Sequence, residues 1–272
     1  MTRKTQVRVA VAGLGAIGKV VANKLDKQEI EGCRLTAVSG RDPQKTRDFI
    51  SNLSVSVPAV PLAELPEYAD VVIECAPPEL LAQVVEPVLR AGKKVVVLSV
   101  GALLELPDLM DLAASGNGQI LVPSGALLGL DAVSAAAEGN IESVSMVSRK
   151  PPRGLKGAPF LKERNICIDN LVEPLMLFSG SAREAAKGFP ANLNVSVALS
   201  LVGIGPDRTR IEVWADPQVV RNTHHIEVVS DSSLLHMTIE NIPSENPKTG
   251  RITAQSVLAL LRKMSAPMCV GT

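Results

Sequence analysis

The sequence predicts an α/β chain in which a doubly wound parallel sheet is followed by a second, α+β domain with a mixed or antiparallel sheet. Short apolar runs and helix-like runs alternate five times in the first part of the chain, the signature of strands buried on both faces between covering helices. The rhythm then changes to segments in which apolar and polar residues alternate, as in half-exposed strands. The chain has 272 residues, 46% of them hydrophobic, enough for two cores.

Taken in order, Val7–Ala12 predicts a buried strand, and Ala16–Lys27 a helix with Ile17, Val20, Val21 and Leu25 on its apolar side. Arg34–Ser39 predicts a second strand. Pro43–Asn52 predicts a helix, with Asp42 as N-cap and Pro43 at the first helical position. Val71–Cys75, Lys94–Ser99 and Gln119–Val122 predict further strands, separated by helices over Pro78–Ala91 and Leu106–Ala114. In the second part, helices are expected over Leu130–Glu138, Arg183–Phe189 and Ala191–Val202. Strands are expected over Ile141–Arg149, Pro174–Ser179, Arg208–Ala215, His224–Ser230 and Ser233–Ile242, and a last amphipathic helix over Thr253–Met264. The reading divides the chain into a first domain, 1–125, a second, 126–244, and a C-terminal helical segment, 245–272, packing back on the first.

Composition narrows the function classes. Lys plus Arg and Asp plus Glu number 28 each, so no basic excess argues for nucleic acid. One Trp and one Tyr argue against a stacking platform for single strands. Four cysteines without a CxxC pair argue against a structural zinc site or a disulfide framework and fit a reducing compartment. The start, Thr2-Arg3-Lys4-Thr5-Gln6, is polar and unlike a signal peptide. No uncharged apolar run is long enough for a transmembrane helix. The expectation is a cytoplasmic protein with no metal, nucleic-acid or membrane partner.

Gly13-Leu14-Gly15-Ala16-Ile17-Gly18 is a GxGxxG run that follows a predicted strand and opens a predicted helix. That context turns a weak pattern into the fingerprint of a Rossmann dinucleotide site. Gly13 makes the tight turn, Gly15 lets the backbone approach a pyrophosphate, and Gly18 lets helix and strand pack closely. Ala16 and Ile17 bring helix N-terminal N–H groups to the phosphates. The second strand ends Val38-Ser39-Gly40-Arg41-Asp42, with no carboxylate at its tip for an adenosine 2′-hydroxyl. Ser39 and Arg41 suit a 2′-phosphate instead, so NADP is accepted and NAD is not excluded. Arg41 as a solvated loop charge is the even alternative. Ala76, in Cys75-Ala76-Pro77-Pro78, and the turns at Ser99–Ala102 and Pro123–Ala126 follow strand ends, where ligands of open α/β sheets bind; each reads equally well as an ordinary turn.

Several stretches together resemble the L-aspartate dehydrogenase family: "VAGLGAIG", "VIECAPPELL", "LSVGALLE", "PSGALLGLDAVSAA", "SGSAREAAKGFPANLNVSVALSLVGIGPDRT", "ADPQVVRNTHHIEV" and "NPKTGRITAQSVLALLR". The resemblance covers the chain from Val7 to about Arg262. The resemblance implies an architecture like that of dihydrodipicolinate reductase. It also implies oxidation of the α-amine of L-aspartate to iminoaspartate, then oxaloacetate and ammonia, with NAD or NADP as cofactor. The chain is expected to be a homo-oligomer, here taken as a homodimer. Carried over by position, the active-site histidine falls on His224 and cofactor contacts on Ala126 and Asn194.

The chemistry supports a histidine beside the amine, which must lose a proton before its α-carbon loses hydride. His225 is adjacent, and on a strand the two face opposite sides. His236, among apolar residues in "SLLHMTIE", reads as structural. Two substrate carboxylates need clamps, for which Arg149-Lys150 and Lys248-Thr249 are candidates, with Lys248 equally a solvated cap and Thr249 or Thr253 a helix cap. Asn194 suits the nicotinamide amide and Asn192 a cap. The competing readings are an NAD(P)-dependent imine or dihydrodipicolinate-type reductase and a non-catalytic NAD(P)-binding protein. No Lys- and His-rich catalytic segment favours the first, and His224 with Asn194 argues against the second.

Overall fold

The computed structural model describes residues 6–190, 193–244 and 250–271. The chain forms two compact units: one runs to Pro123 and takes in Ala254–Val270, the other is Ser124–Thr253.

In the first unit, β1 (Val7–Ala12) leads into α1 (Ala16–Asp26), β2 (Cys33–Ser39) and α2 (Pro43–Ile50). The short α3 (Leu65–Tyr68) precedes β3 (Val71–Glu74), α4 (Leu81–Arg90), β4 (Lys94–Val97), α5 (Val100–Leu103), α6 (Pro107–Ser115) and β5 (Gln119–Leu121). Asp42 caps α2 as expected, accepting from the N–H groups of Gln44 and Lys45 at 3.0 and 3.1 Å. The strands are parallel, in the order β2-β1-β3-β4-β5. Beyond β2, Val38 pairs in parallel with Ala59: its N–H donates to Pro58 at 3.1 Å, and Val60 donates back to Val38 at 2.9 Å. This bridge is a remnant edge strand, and with it the order becomes that of a dinucleotide-binding sheet, 3-2-1-4-5-6. Pro58, which has no N–H to donate, keeps it too short to read as a strand.

Most expected bounds shift by one to three residues, and three of the shifts change an element's character. The helix expected over Pro78–Ala91 begins as a 3-10 turn, Pro78–Leu80. The strand expected to Ser99 ends at Val97, because the chain turns into α5, a single turn without a periodic signal. The last helix covers Ile252–Ser265, so Thr253 sits inside it and is no cap. That helix buries Val257 and Leu261 with Val9, Val21, Leu25 and Ile73, and its Ser265 hydroxyl donates to the Glu31 carbonyl at 2.7 Å.

The second unit runs α7 (Leu130–Ala137), β6 (Ile141–Lys150), the short α8 (Pro152–Leu155) and α9 (Pro159–Glu163), β7 (Leu175–Ser181), α10 (Ala182–Gly188), α11 (Asn194–Val202), β8 (Arg210–Ala215), β9 (Asn222–Ser230) and β10 (Leu234–Asn241). Its sheet order is β10-β9-β6-β8-β7. The central pair β6·β8 is parallel and the others are antiparallel, so the sheet is mixed. Helices α8 and α9 add to the expected elements; four or five residues are too short for a periodic signal. One sheet face supplies Val144, Met146, Ile211, Val213, Ile226 and Val228 to a core shared with Val133, Phe189, Leu193 and Leu199 from the helices. Among the described residues no helix is long and apolar enough to cross a membrane, and no cluster of His, Cys, Asp and Glu could hold a metal ion.

Candidate active site

In the first unit the glycine loop lies across the carboxyl ends of β1, β2 and β3. The Gly13 N–H donates to Ser39 O at 2.8 Å, and the Cys75 N–H donates to Ala12 O at 2.8 Å. Gly13 has φ +102°, and a Cβ there would lie 2.5 Å from the Cys75 carbonyl oxygen. A Cβ on Gly18 would collide with the Gly13 carbonyl. These two glycines are required by the fold itself. Gly15 is not: its φ is −77°, and a Cβ there would meet nothing within 4 Å. It stands at the N-cap of α1 with no side chain capping the helix, so the free N–H groups face open space beside a position that packing does not restrict to glycine. The residues present therefore fit a phosphate group. Ala16 is exposed and Ile17 and Ala76 are half-buried. Ser39 is buried, with its carbonyl engaged by the loop, and Arg41 is exposed.

Glu74, at the end of β3, carries no mark in the sequence. Its buried carboxylate accepts from the N–H groups of Leu98 and Ser99 at 3.0 and 2.8 Å and from the Ser99 hydroxyl at 3.1 Å. It ties the ends of two neighbouring strands together, and burial raises its pKa against those hydrogen bonds.

In the second unit, strand alternation separates two sets of residues. Ser148 and Lys150 on β6 and Asn222 and His224 on β9 lie on the core-facing side, all buried. Ser148 is the register partner of His224. Asn241, opposite Asn222 on β10, is also buried, and its amide donates to the Ala126 carbonyl at 2.9 Å. Asn194 opens α11 behind Leu193 at the N-cap, half-buried. On the other side, His225 is exposed and its Nδ1 meets Thr238 Oγ1 at 2.9 Å. Arg149 also faces that way: it lies 4.5 Å over the Trp214 ring and reaches Asp216 at 3.2 Å. Arg149 is thus not beside Lys150, because one residue along a strand reverses the face. His236 is exposed and lies 3.3 Å from Glu227, its register partner on β9. Lys248, Thr249 and Asn192 lie outside the described residues.

The electrostatics of the buried set are unusual. Burial pushes the Lys150 pKa down to about 8. Burial, then the Lys150 charge, then His225 push His224 down to about 3. Burial and the nearby Lys150 ammonium thus both oppose protonation of the imidazole.

The family described as "Aspartate dehydrogenase, C-terminal" matches residues 131–264, and the NAD binding domain of homoserine dehydrogenase matches 13–123. L-aspartate dehydrogenase 3 of Bordetella bronchiseptica is 73% identical over 272 residues, the whole of both chains. The chain belongs to the aspartate dehydrogenase family. The L-aspartate dehydrogenase of Bradyrhizobium diazoefficiens is 59% identical across all of this chain and 96% of its own length. The crystal structure of Thermotoga maritima aspartate dehydrogenase has the same fold, with a TM-score of 0.73 over 98% of this chain and all of that one, at 22% identity. The family's two-part construction matches the two sheets described above. Ser148, Asn222 and Asn241 join His224 here, although none of them stands out in the sequence. Period-two spacing from His224 and Lys150 points to the first two.

Proposed function

We infer that the chain is an NAD- or NADP-dependent L-aspartate dehydrogenase that oxidises the α-amine to iminoaspartate, which hydrolyses to oxaloacetate and ammonia. The observation that carries the reading is a buried His224 on the same side of the sheet as a buried Lys150, in a chain 73% identical to a named aspartate dehydrogenase. The nicotinamide cofactor, when bound, supplies the hydride acceptor. Gly13, Gly15 and Gly18, with the N–H groups of Ala16 and Ile17, hold its pyrophosphate. Ser39 and Arg41 face the adenosine ribose, Ala76 and Ala126 border the cofactor, and Asn194 bonds its nicotinamide amide. Lys150 pairs with a substrate carboxylate, which offsets the charge that opposes protonation of His224 and lets the imidazole accept the amine proton; Lys248 and Thr249 are further candidates for that clamp. In this reading residues 1–125 bind the cofactor and 126–244 the substrate, with 245–272 returning to the first domain. The enzyme is placed in the cytoplasm, which its four free cysteines support, and is taken as a homo-oligomer, which the exposed apolar residues Leu175, Met176 and Leu234 on the edge strands β7 and β10 support.

Mixing the purified protein with L-aspartate and each oxidised cofactor at alkaline pH should raise the near-ultraviolet absorbance of reduced nicotinamide. Cofactor binding with no turnover on any amino acid would leave only a binding protein.

Two substitutions test the cofactor site. Gly15→Val has room in the chain alone, so it should fold with unchanged thermal stability yet lose measurable cofactor binding by calorimetry. Retained affinity would remove the loop from the site. Arg41→Ala should weaken NADP far more than NAD, by roughly 1.5–3 kcal/mol for a charge-assisted bond. Equal losses would make Arg41 a loop charge only.

A further inference from the structure

The core-facing side of the second sheet changes character part-way along. Its paired rows Val144–Val228 and Met146–Ile226 are apolar. The next row is Ser148–His224, and Lys150 and Asn222 continue the same faces of their strands. Three side-chain atoms in these rows are closed to solvent and have no hydrogen-bond partner among the described residues: Ser148 Oγ, Asn222 Oδ1 and His224 Nδ1. The large majority of buried side-chain polar atoms in folded proteins are paired. Three unpaired atoms in adjacent rows, at one end of an otherwise apolar face, form a set that chain folding leaves incomplete.

The set has a definite chemistry. Ser148 offers a hydroxyl donor, Asn222 an amide oxygen that only accepts, and His224 a neutral ring that can take a proton. An α-amino acid head group presents the complement, a carboxylate that only accepts and an amine that donates. We propose that Ser148 and Asn222 bind the substrate's head group, Ser148 donating to a carboxylate and Asn222 Oδ1 accepting from the α-amine beside His224. Asn222 then fixes the nitrogen so that one of its protons faces the imidazole, and Lys150 serves the second carboxylate. The three atoms are closed to solvent, so the substrate reaches them only when the groups that cover them move aside. The inference rests on the aspartate dehydrogenase reading but is tested apart from turnover.

The probes are L-aspartate and succinate, which is the same dicarboxylate skeleton without the amine. Their affinities are measured by calorimetry on protein loaded with reduced cofactor, a complex in which neither probe reacts. Ser148→Ala should weaken both probes about tenfold or more, with cofactor affinity unchanged. Its thermal midpoint should stay level or rise, because the hydroxyl removed has no partner within the chain. Asn222→Ala should weaken aspartate by a similar factor and leave succinate within about twofold. Where Asn222→Ala lowers the midpoint, Asn222→Leu, closer in volume, serves for the same comparison. Unchanged affinities in both variants overturn the proposal, as does equal loss of the two probes on substituting Asn222. A wild-type protein that shows this binding pattern but no turnover overturns the assigned reaction and leaves the head-group assignment standing.

Discussion

Replacing His224 with Ala should lower turnover on L-aspartate by ~10²–10⁴-fold, the usual worth of a positioned acid–base group, while leaving cofactor affinity within about twofold. His225→Ala should turn over at nearly the wild-type rate. The contrast follows from the strand: His224 is buried on the core-facing side, two residues from Asn222, whereas His225 points outward to Thr238. The variant should also report the electrostatics. A histidine held at about 3 when folded and near 6.5 when unfolded takes up its proton first in the unfolded chain. The wild-type protein therefore loses stability as pH falls from about 6.5 toward 3, by on the order of 5 kcal/mol across that window. His224→Ala should flatten this limb in chemical denaturation at pH 4 to 7 (a range of about three units). Loss of turnover in His225→Ala instead would place the catalytic group on the other face.

How much of the fold and site is legible in the sequence depends on the distance over which each signal acts. The glycine loop is local: strand, turn and helix are contiguous, so Gly13, Gly15 and Gly18 announce themselves. What their roles conceal is that Gly13 and Gly18 are demanded by contacts to Cys75 and to each other, and only Gly15 points to something outside the chain. The α2 cap at Asp42 is equally local, and the structure agrees with it. The second unit is harder because its site is assembled by register. Ser148 meets His224 only through the pairing of β6 with β9, 76 positions apart in sequence. A serine in "MVSRK" carries no mark of that. Period two does place Lys150 and Ser148 on one face and moves Arg149 to the other, so strand alternation by itself separates the two basic residues. His236 obeys the same alternation: Leu235 and Met237 take the core side of β10, which leaves His236 on the exposed face opposite Glu227. The parallel pairing of β6 with β8 is likewise invisible locally, since it depends on the crossover through β7, α10 and α11.

Lys150→Met should make the unliganded protein more stable at neutral pH and nearly useless toward aspartate. Burial lowers the Lys150 pKa to about 8, against 10.5 for an ordinary lysine, so the charged form is disfavoured by folding. That penalty is fully present below the folded pKa and is relieved as pH rises from about 8 through 10.5, because there the unfolded chain still binds the proton that the folded chain has released. The difference corresponds to on the order of 3 kcal/mol at pH 7 (about 1.4 kcal/mol per pKa unit). A methionine of similar length removes the charge and keeps most of the volume. Denaturation midpoints should therefore rise in Lys150→Met at pH 7, and the wild-type gain in stability between about pH 8 and 10 should vanish in the variant. The affinity for aspartate should fall about 10- to 150-fold, the loss expected when a carboxylate gives up one charge-assisted bond, with cofactor affinity unchanged. The same penalty explains why the ammonium suits an anionic substrate: a carboxylate arriving beside Lys150 raises its pKa again. Aspartate should accordingly stabilise the wild type against heat more at pH 7 than at pH 10, and Lys150→Met equally little at both. A variant that loses stability at pH 7 while keeping its affinity for aspartate would make Lys150 a packing residue of the sheet and leave the carboxylate clamp to be found elsewhere.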